Sequence, residues 1–260
     1  MFKIFKYSFF DLTRSSWSYV YFLFYLLLGM VLLFLNNDLN TAVITLMNVI
    51  IMLVPLIGTI FGVMYYYNSR EFTELLLAQP VKRSSIFLGQ YFGVAISLSI
   101  SLVLGLGIPF AAYGLFKSPA IWDFVMLLVT GLFLTLIFSA LAFNIALSNE
   151  NKIKGFGYAI LLWLFLAVIY DGLFLLSLVY FQEYPLDKFS LVATMFNPID
   201  LSRILILLKL DISALLSYTG AVFKQFFGTS FGSIASISML VLWVVLPLLR
   251  IAYVVRKKDF

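Results

Sequence analysis

Cysteine and histidine are both missing from the 260 residues. That removes disulfides, thiolate or imidazole metal sites, Cys-His nucleophiles and imidazole proton relays together. Eight methionines remain as soft ligands, and their closest pair, Met47 and Met52, fits core filling better than a Cu(I) path. Charge is also scarce, at 11% of residues, and no Gly-x-x-x-x-Gly-Lys-Ser/Thr run is found, so nucleotide chemistry is not expected in this chain. No catalytic, cofactor-binding or metal-binding residue is therefore expected. The net charge of +5 follows the loops between apolar runs and is no nucleic-acid signal.

Apolar residues make up 63% of the chain, and its hydrophobic runs repeatedly exceed the roughly 20 residues that cross a bilayer. The expectation is an all-α polytopic membrane protein, a single transmembrane domain over 1–260 with six transmembrane helices. These fall at about 17–35, 42–67, 86–115, 122–147, 156–181 and 231–254. Residues 1–16 read as an interfacial elbow helix, with Phe2, Phe5, Phe9 and Leu12 on one face and Lys3, Tyr7, Asp11 and Arg14 on the other. No short apolar run with a small-residue cleavage site follows it, so a removable signal peptide is not expected. Pro55 lies inside span two, followed by Gly58-x-x-x-Gly62, a spacing that suits close packing of helices within the subunit.

Lys and Arg set the orientation. Three precede span one, three lie in the 68–85 segment, two in the 148–155 loop and four from Arg250 onward, twelve of seventeen in all. The positive-inside rule puts these short segments, and both termini, in the cytoplasm.

The 68–85 segment is the charged island. As a helix from Arg70 to Gln79 it carries Arg70, Glu71 and Glu74 on one side and Phe72, Leu75 and Leu76 on the other. Leu77 breaks the pattern, Pro80 disfavours helix at Gln79, and Lys82 and Arg83 mark the boundary of the next span. Composition alone leaves an ordinary interhelical loop equally open.

Asp171 is deep in span five, where a carboxylate must face protein or water. A proton or ion site, a polar lock between helices and a neutral carboxyl all fit, and the lock or neutral form is preferred. Residues 182–231 form a long extracytoplasmic segment. Asn197 caps a helix there, Pro198 takes its first position, and Asp200, Arg203, Lys209 and Asp211 make it a poor span. It is expected at the outer surface or in a shallow re-entrant dip, with Phe223, Phe226 and Phe227 as buried contact near the interface.

An acidic, Leu-rich short helix followed by Pro80-Val81-Lys82-Arg83-Ser84, between spans two and three, resembles the ABC-2 type permease family. Ile169-Tyr170-Asp171-Gly172, Asn197-Pro198-Ile199-Asp200-Leu201-Ser202-Arg203, Leu210-Asp211-Ile212-Ser213-Ala214-Leu215, Tyr218-Thr219-Gly220-Ala221 and Lys257-Lys258-Asp259-Phe260 resemble its branch that serves nitrous oxide reductase maturation. The resemblance implies a type V exporter-like fold in the bacterial cytoplasmic (inner) membrane. It implies a second copy of the chain, a cytoplasmic ABC ATPase subunit (NosF-like) holding ATP and Mg, and a periplasmic accessory protein (NosD-like). It also implies support for copper-sulfur centre assembly. Arg70, Glu71, Phe72, Glu74, Leu75, Lys82 and Arg83 would then couple to the ATPase. Asn197, Pro198, Asp200, Arg203, Lys209 and Asp211 would contact the periplasmic partner. An ABC-2 exporter of an unrelated lipid-like or hydrophobic solute keeps the same fold.

Overall fold

The computed structural model describes residues 1–36, 38–181, 183, 186–209, 226 and 229–258, and among these it contains helices and no strand. The chain runs α1 (Phe2–Arg14), α2 (Ser16–Leu35), α3 (Leu39–Asn68), α4 (Arg70–Leu77) and α5 (Arg83–Ala112). After a 3-10 turn at Leu115–Lys117 come α6 (Ile121–Ser148), α7 (Lys152–Leu164), a π-helical turn at Phe165–Ile169 and α8 (Tyr170–Tyr180). The last elements are α9 (Asp187–Met195), α10 (Pro198–Lys209) and α11 (Ser230–Lys257). Six helical stretches are long and apolar enough to cross a membrane: α2, α3, α5, α6, α7 with α8, and α11. The chain is an all-α polytopic membrane protein.

Helices α3, α5 and α6 form the centre. About half of each is buried (50%, 56% and 56%), against 28%, 17% and 22% for α2, α7–α8 and α11. Small residues set the spacing. A Cβ added at Gly62 would lie 2.8 Å from the Ala142 Cβ, so the Gly58–Gly62 stripe lets α3 press directly on α6. Gly93 does the same for α1, whose Ser8 Cβ would lie 2.6 Å from a new methyl. As a result α1 docks on α5 through Ile4, Ser8 and Leu12. That face shares Leu12 with the one expected from sequence but not its rings, and Phe2 is 75% exposed. The glycine-lined surface of α5 admits backbone at close range, which selects the narrow side of α1 and leaves the rings at its flanks.

The larger difference is at α9 and α10. They meet at a bend of 114° and form a re-entrant hairpin. Its tip sits against Leu166, midway along the α7–α8 span, and against Trp243, midway along α11. With a rise of about 1.5 Å per residue, the nine residues of α9 reach roughly the middle of a 30 Å hydrocarbon core. The sequence suggested a surface helix or a shallow dip; in the structure the bend lies level with the middles of α7–α8 and α11. Ile199, Leu201, Ile204, Leu205, Ile206 and Leu207 are all buried, and α10 packs against α3, α6 and α11.

Candidate functional site

One face of the bundle carries both described ends of the chain, together with α1, α4 and the α6–α7 loop. Helix α4 follows α3 after the single residue Ser69. Its inward side is Phe72, Thr73, Leu76 and Leu77. Phe72 stacks on Tyr7 of α1, with ring centroids 4.4 Å apart and planes 23° apart. Gln90 Nε2 of α5 donates to Thr73 Oγ1 at 2.8 Å in a buried contact, and Thr73 Oγ1 in turn donates to the Ser69 carbonyl at 2.8 Å. A short amphipathic helix is thus held to two neighbours by a ring stack and a buried hydrogen bond.

The outward side is Arg70, Glu71, Glu74 and Leu75. Arg70 Nε pairs with Glu74 Oε1 at 3.0 Å, but both side chains are more than half exposed, so the pair adds little stability. Leu75 is 69% exposed, on the side opposite to the one its apolar character suggested. It stands one turn after Glu71 and shares that face, while Thr73, which Gln90 reaches, takes the inward position. Lys82 is exposed beside it, and Arg83 donates from a guanidinium nitrogen to the Lys258 carbonyl at 2.8 Å. Gln90, Tyr7 and Thr73 were not legible as site residues, although a glutamine in the first turns of a span is a signal that it bonds to protein.

The loop after α6 is tied to the same place. Tyr67 donates to the Asn149 carbonyl at 2.7 Å, Lys152 Nζ to Asn68 Oδ1 at 3.1 Å, and Lys258 Nζ to the Leu147 carbonyl at 2.9 Å. Between α4, this loop and Lys258 lies a cleft of about 420 Å³ walled by Tyr66, Thr73 and Asn149 and edged by Arg70, Glu74 and Glu150. The loop is one side of that cleft.

A second constellation lies inside the bundle. Arg203 of α10 pairs with Asp171 of α8 at 2.9 Å and with Asp200 at 3.3 Å. Asn197 donates to Asp200 Oδ2 at 2.7 Å and to the Leu166 carbonyl at 2.8 Å, and its Oδ1 accepts from Ile199 N at 3.1 Å as a helix cap. Leu166 sits in the π-helical turn, where the backbone ladder is loosened, and its carbonyl takes this bond from outside the helix. Tyr170 donates to the Ala193 carbonyl at 2.6 Å and Trp243 to the Met195 carbonyl at 3.2 Å, pinning the hairpin tip from both flanks.

Four of the residues expected at a partner surface lie within this arrangement. Asn197, Pro198 and Asp200 are buried and Arg203 is half-buried, turned toward one another and toward span five. Asp200 and Arg203 pair with each other and with Asp171, which lowers the cost of carrying charge at this depth in the bundle. Asp171 pairs with a basic residue that comes from the hairpin. Lys209 closes α10, but its side chain, Asp211, Phe223 and Phe227 lie outside the described residues, as do the matches over 210–221 and 259–260; Phe226 is partly buried. Met47 is buried and Met52 is 42% exposed, so the two thioethers do not converge.

No family model matches the chain. Over 146 residues, 54% of its length, it is 28% identical to a protein described as probable ABC transporter permease protein NosY from Pseudomonas aeruginosa, of which it covers 53%. Over 151 residues, 56% of its length, it is 26% identical to the protein of the same description from Stutzerimonas stutzeri, of which it covers 51%. The chain spans about half the length of the curated relatives it matches. It resembles NosY-type ABC transporter permeases.

Proposed function

We propose that this chain is the permease subunit of an ABC transporter, in which a separate NosF-like ATPase drives export or mechanical signalling across a bacterial cytoplasmic membrane. On this reading a second copy completes the membrane unit, a NosD-like protein acts on the periplasmic side, and the assembly serves copper-sulfur centre formation in nitrous oxide reductase. The catalytic work stays with the ATPase.

Helix α4 carries this reading. Its apolar and hydroxyl side is fixed to α1 by the Tyr7–Phe72 stack and to α5 by Gln90, while Arg70, Glu71, Glu74 and Leu75 stand exposed on the other. A helix with this arrangement receives a push and passes it on. Displacing α4 drags α1, α3 and α5 together. Close packing of α3 on α6, and of α10 on both, leads the movement to the re-entrant hairpin. There the Arg203–Asp171 pair hands it to span five.

The test is Glu74→Arg in cells that also express the ATPase. We expect normal membrane insertion, together with loss of co-purification or of permease-stimulated ATP turnover, and failure to activate the reductase. An ATPase that co-purifies and turns over unchanged removes α4 as the coupling element. Normal coupling with unchanged reductase activation in a permease deletion would keep the transporter and discard the pathway.

A further inference from the structure

Among the described residues, an apolar groove opens along the outer side of the bundle. It lies between α7 and α11, with α6 as its floor and the hairpin tip at its inner end, and encloses about 510 Å³. Leu162, Met239, Trp243 and Leu246 form its walls, and Phe196, 59% exposed, closes it at mid-depth. The floor is rigid: Asn144 Nδ2 donates to Ala140 O and to Pro247 O, both at 2.9 Å, clipping α6 to α11. One cation edges the groove. Arg250 has no ion pair or hydrogen bond with any described residue.

Arg250 and Trp243 are seven residues apart on α11, about 10 Å along the axis. Helix α11 has 28 residues and measures about 42 Å, some 12 Å more than the hydrocarbon core. Arg250 is seven residues before its end, which puts the guanidinium near the hydrocarbon boundary, at headgroup level. From the Trp243 ring to Arg250 the groove therefore runs about 10 Å of the roughly 15 Å of one leaflet's hydrocarbon, and at its headgroup end stands a cation unpaired among the described residues.

We propose that this groove is a binding site for an anionic phospholipid, with the headgroup phosphate on Arg250 and one acyl chain along Leu162, Met239 and Trp243 toward Phe196. A guanidinium recognises phosphate through paired N–H donors, and basic pockets between membrane helices select anionic headgroups. A net negative headgroup balances the cation, whereas in phosphatidylcholine the choline offsets the charge of the same phosphate, and a second copy's apolar helix face offers no anion.

Trp243 makes the site observable. With Trp17, Trp122 and Trp163 changed to Phe, the full chain in nanodiscs should lose Trp243 emission to acyl-brominated phosphatidylglycerol at lower lipid fractions than to acyl-brominated phosphatidylcholine. Arg250→Gln should lower the apparent affinity for phosphatidylglycerol about fivefold and erase the preference. Equal quenching by both lipids would overturn the site. So would an absence of quenching accompanied by a crosslinked dimer, with a second copy covering the groove. Native mass spectrometry on the chain with all four tryptophans gives an independent reading: the unaltered chain should retain phosphatidylglycerol after delipidation and Arg250→Gln should not, and equal retention in both counts against the proposal.

Discussion

Arg203 stands between two carboxylates, 2.9 Å from Asp171 and 3.3 Å from Asp200, so the two acids do not depend on it equally. Asp200 is 7% exposed and its other oxygen is engaged only by Asn197, whereas Asp171 and Arg203 are each about 30% exposed along the side chain. Asp171→Asn leaves Arg203 paired with Asp200 and keeps an oxygen that accepts its hydrogen bond. We expect that variant to retain most reductase activation and to melt within a few degrees of the unaltered chain. Arg203→Met leaves the buried Asp200 without its cation and should destabilise by about 3 kcal/mol. Thermal unfolding in detergent, followed by tryptophan fluorescence, compares the two. If Asp171→Asn proves as damaging as Arg203→Met, Asp171 carries a proton or ion and the lock is the wrong description.

Among the elements, α1 and the hairpin depend on contacts far apart in sequence. The seat of α1 is made by Gly89 and Gly93 on α5, where an added Cβ would lie 3.1 Å from the Ile4 Cβ and 2.6 Å from the Ser8 Cβ. Ile4→Cys with Gly89→Cys should therefore close a disulfide under mild oxidant in a chain with no other thiol. Adding Gly93→Leu should lift α1 away and abolish that crosslink while the spans still insert. A crosslink that forms equally well with the Gly93→Leu change in place would show that α1 is not seated there. The existence of the spans, of α4 and of the Asn197 cap was legible from apolar length, from one charged island and from an N-cap before proline. The burial of the hairpin was not. Asp200 and Arg203 read as surface because Asp171, which pairs with Arg203, lies 32 residues upstream of it on another helix. The outward turn of Leu75 was hidden in a similar way. Hydrophobicity placed it inward, but a hydrogen bond from Gln90, 17 residues later than its partner Thr73, fixes the rotation of α4.

At the scale of the whole molecule, the orientation follows from charge once the elements are in place. Lys3, Lys6, Arg14, Arg70, Lys82, Arg83, Lys152, Lys154, Arg256, Lys257 and Lys258 all belong to the face built by α1, α4 and the end of α11, and Arg250 lies just beneath it. Lys117, in the 3-10 turn between α5 and α6, is the basic residue of the short connections on the other face. Short loops rich in Lys and Arg resist translocation, so we propose that the first face is cytoplasmic and that α9 and α10 dip in from the periplasmic side. The chain has no cysteine, which makes single-thiol labelling unambiguous. In intact spheroplasts, Lys117→Cys should react with a membrane-impermeant maleimide, and Lys154→Cys should react only after permeabilisation. The reverse pattern would turn the molecule over. Helix α4 would then face away from any cytoplasmic ATPase, and the coupling assignment would fall with the orientation.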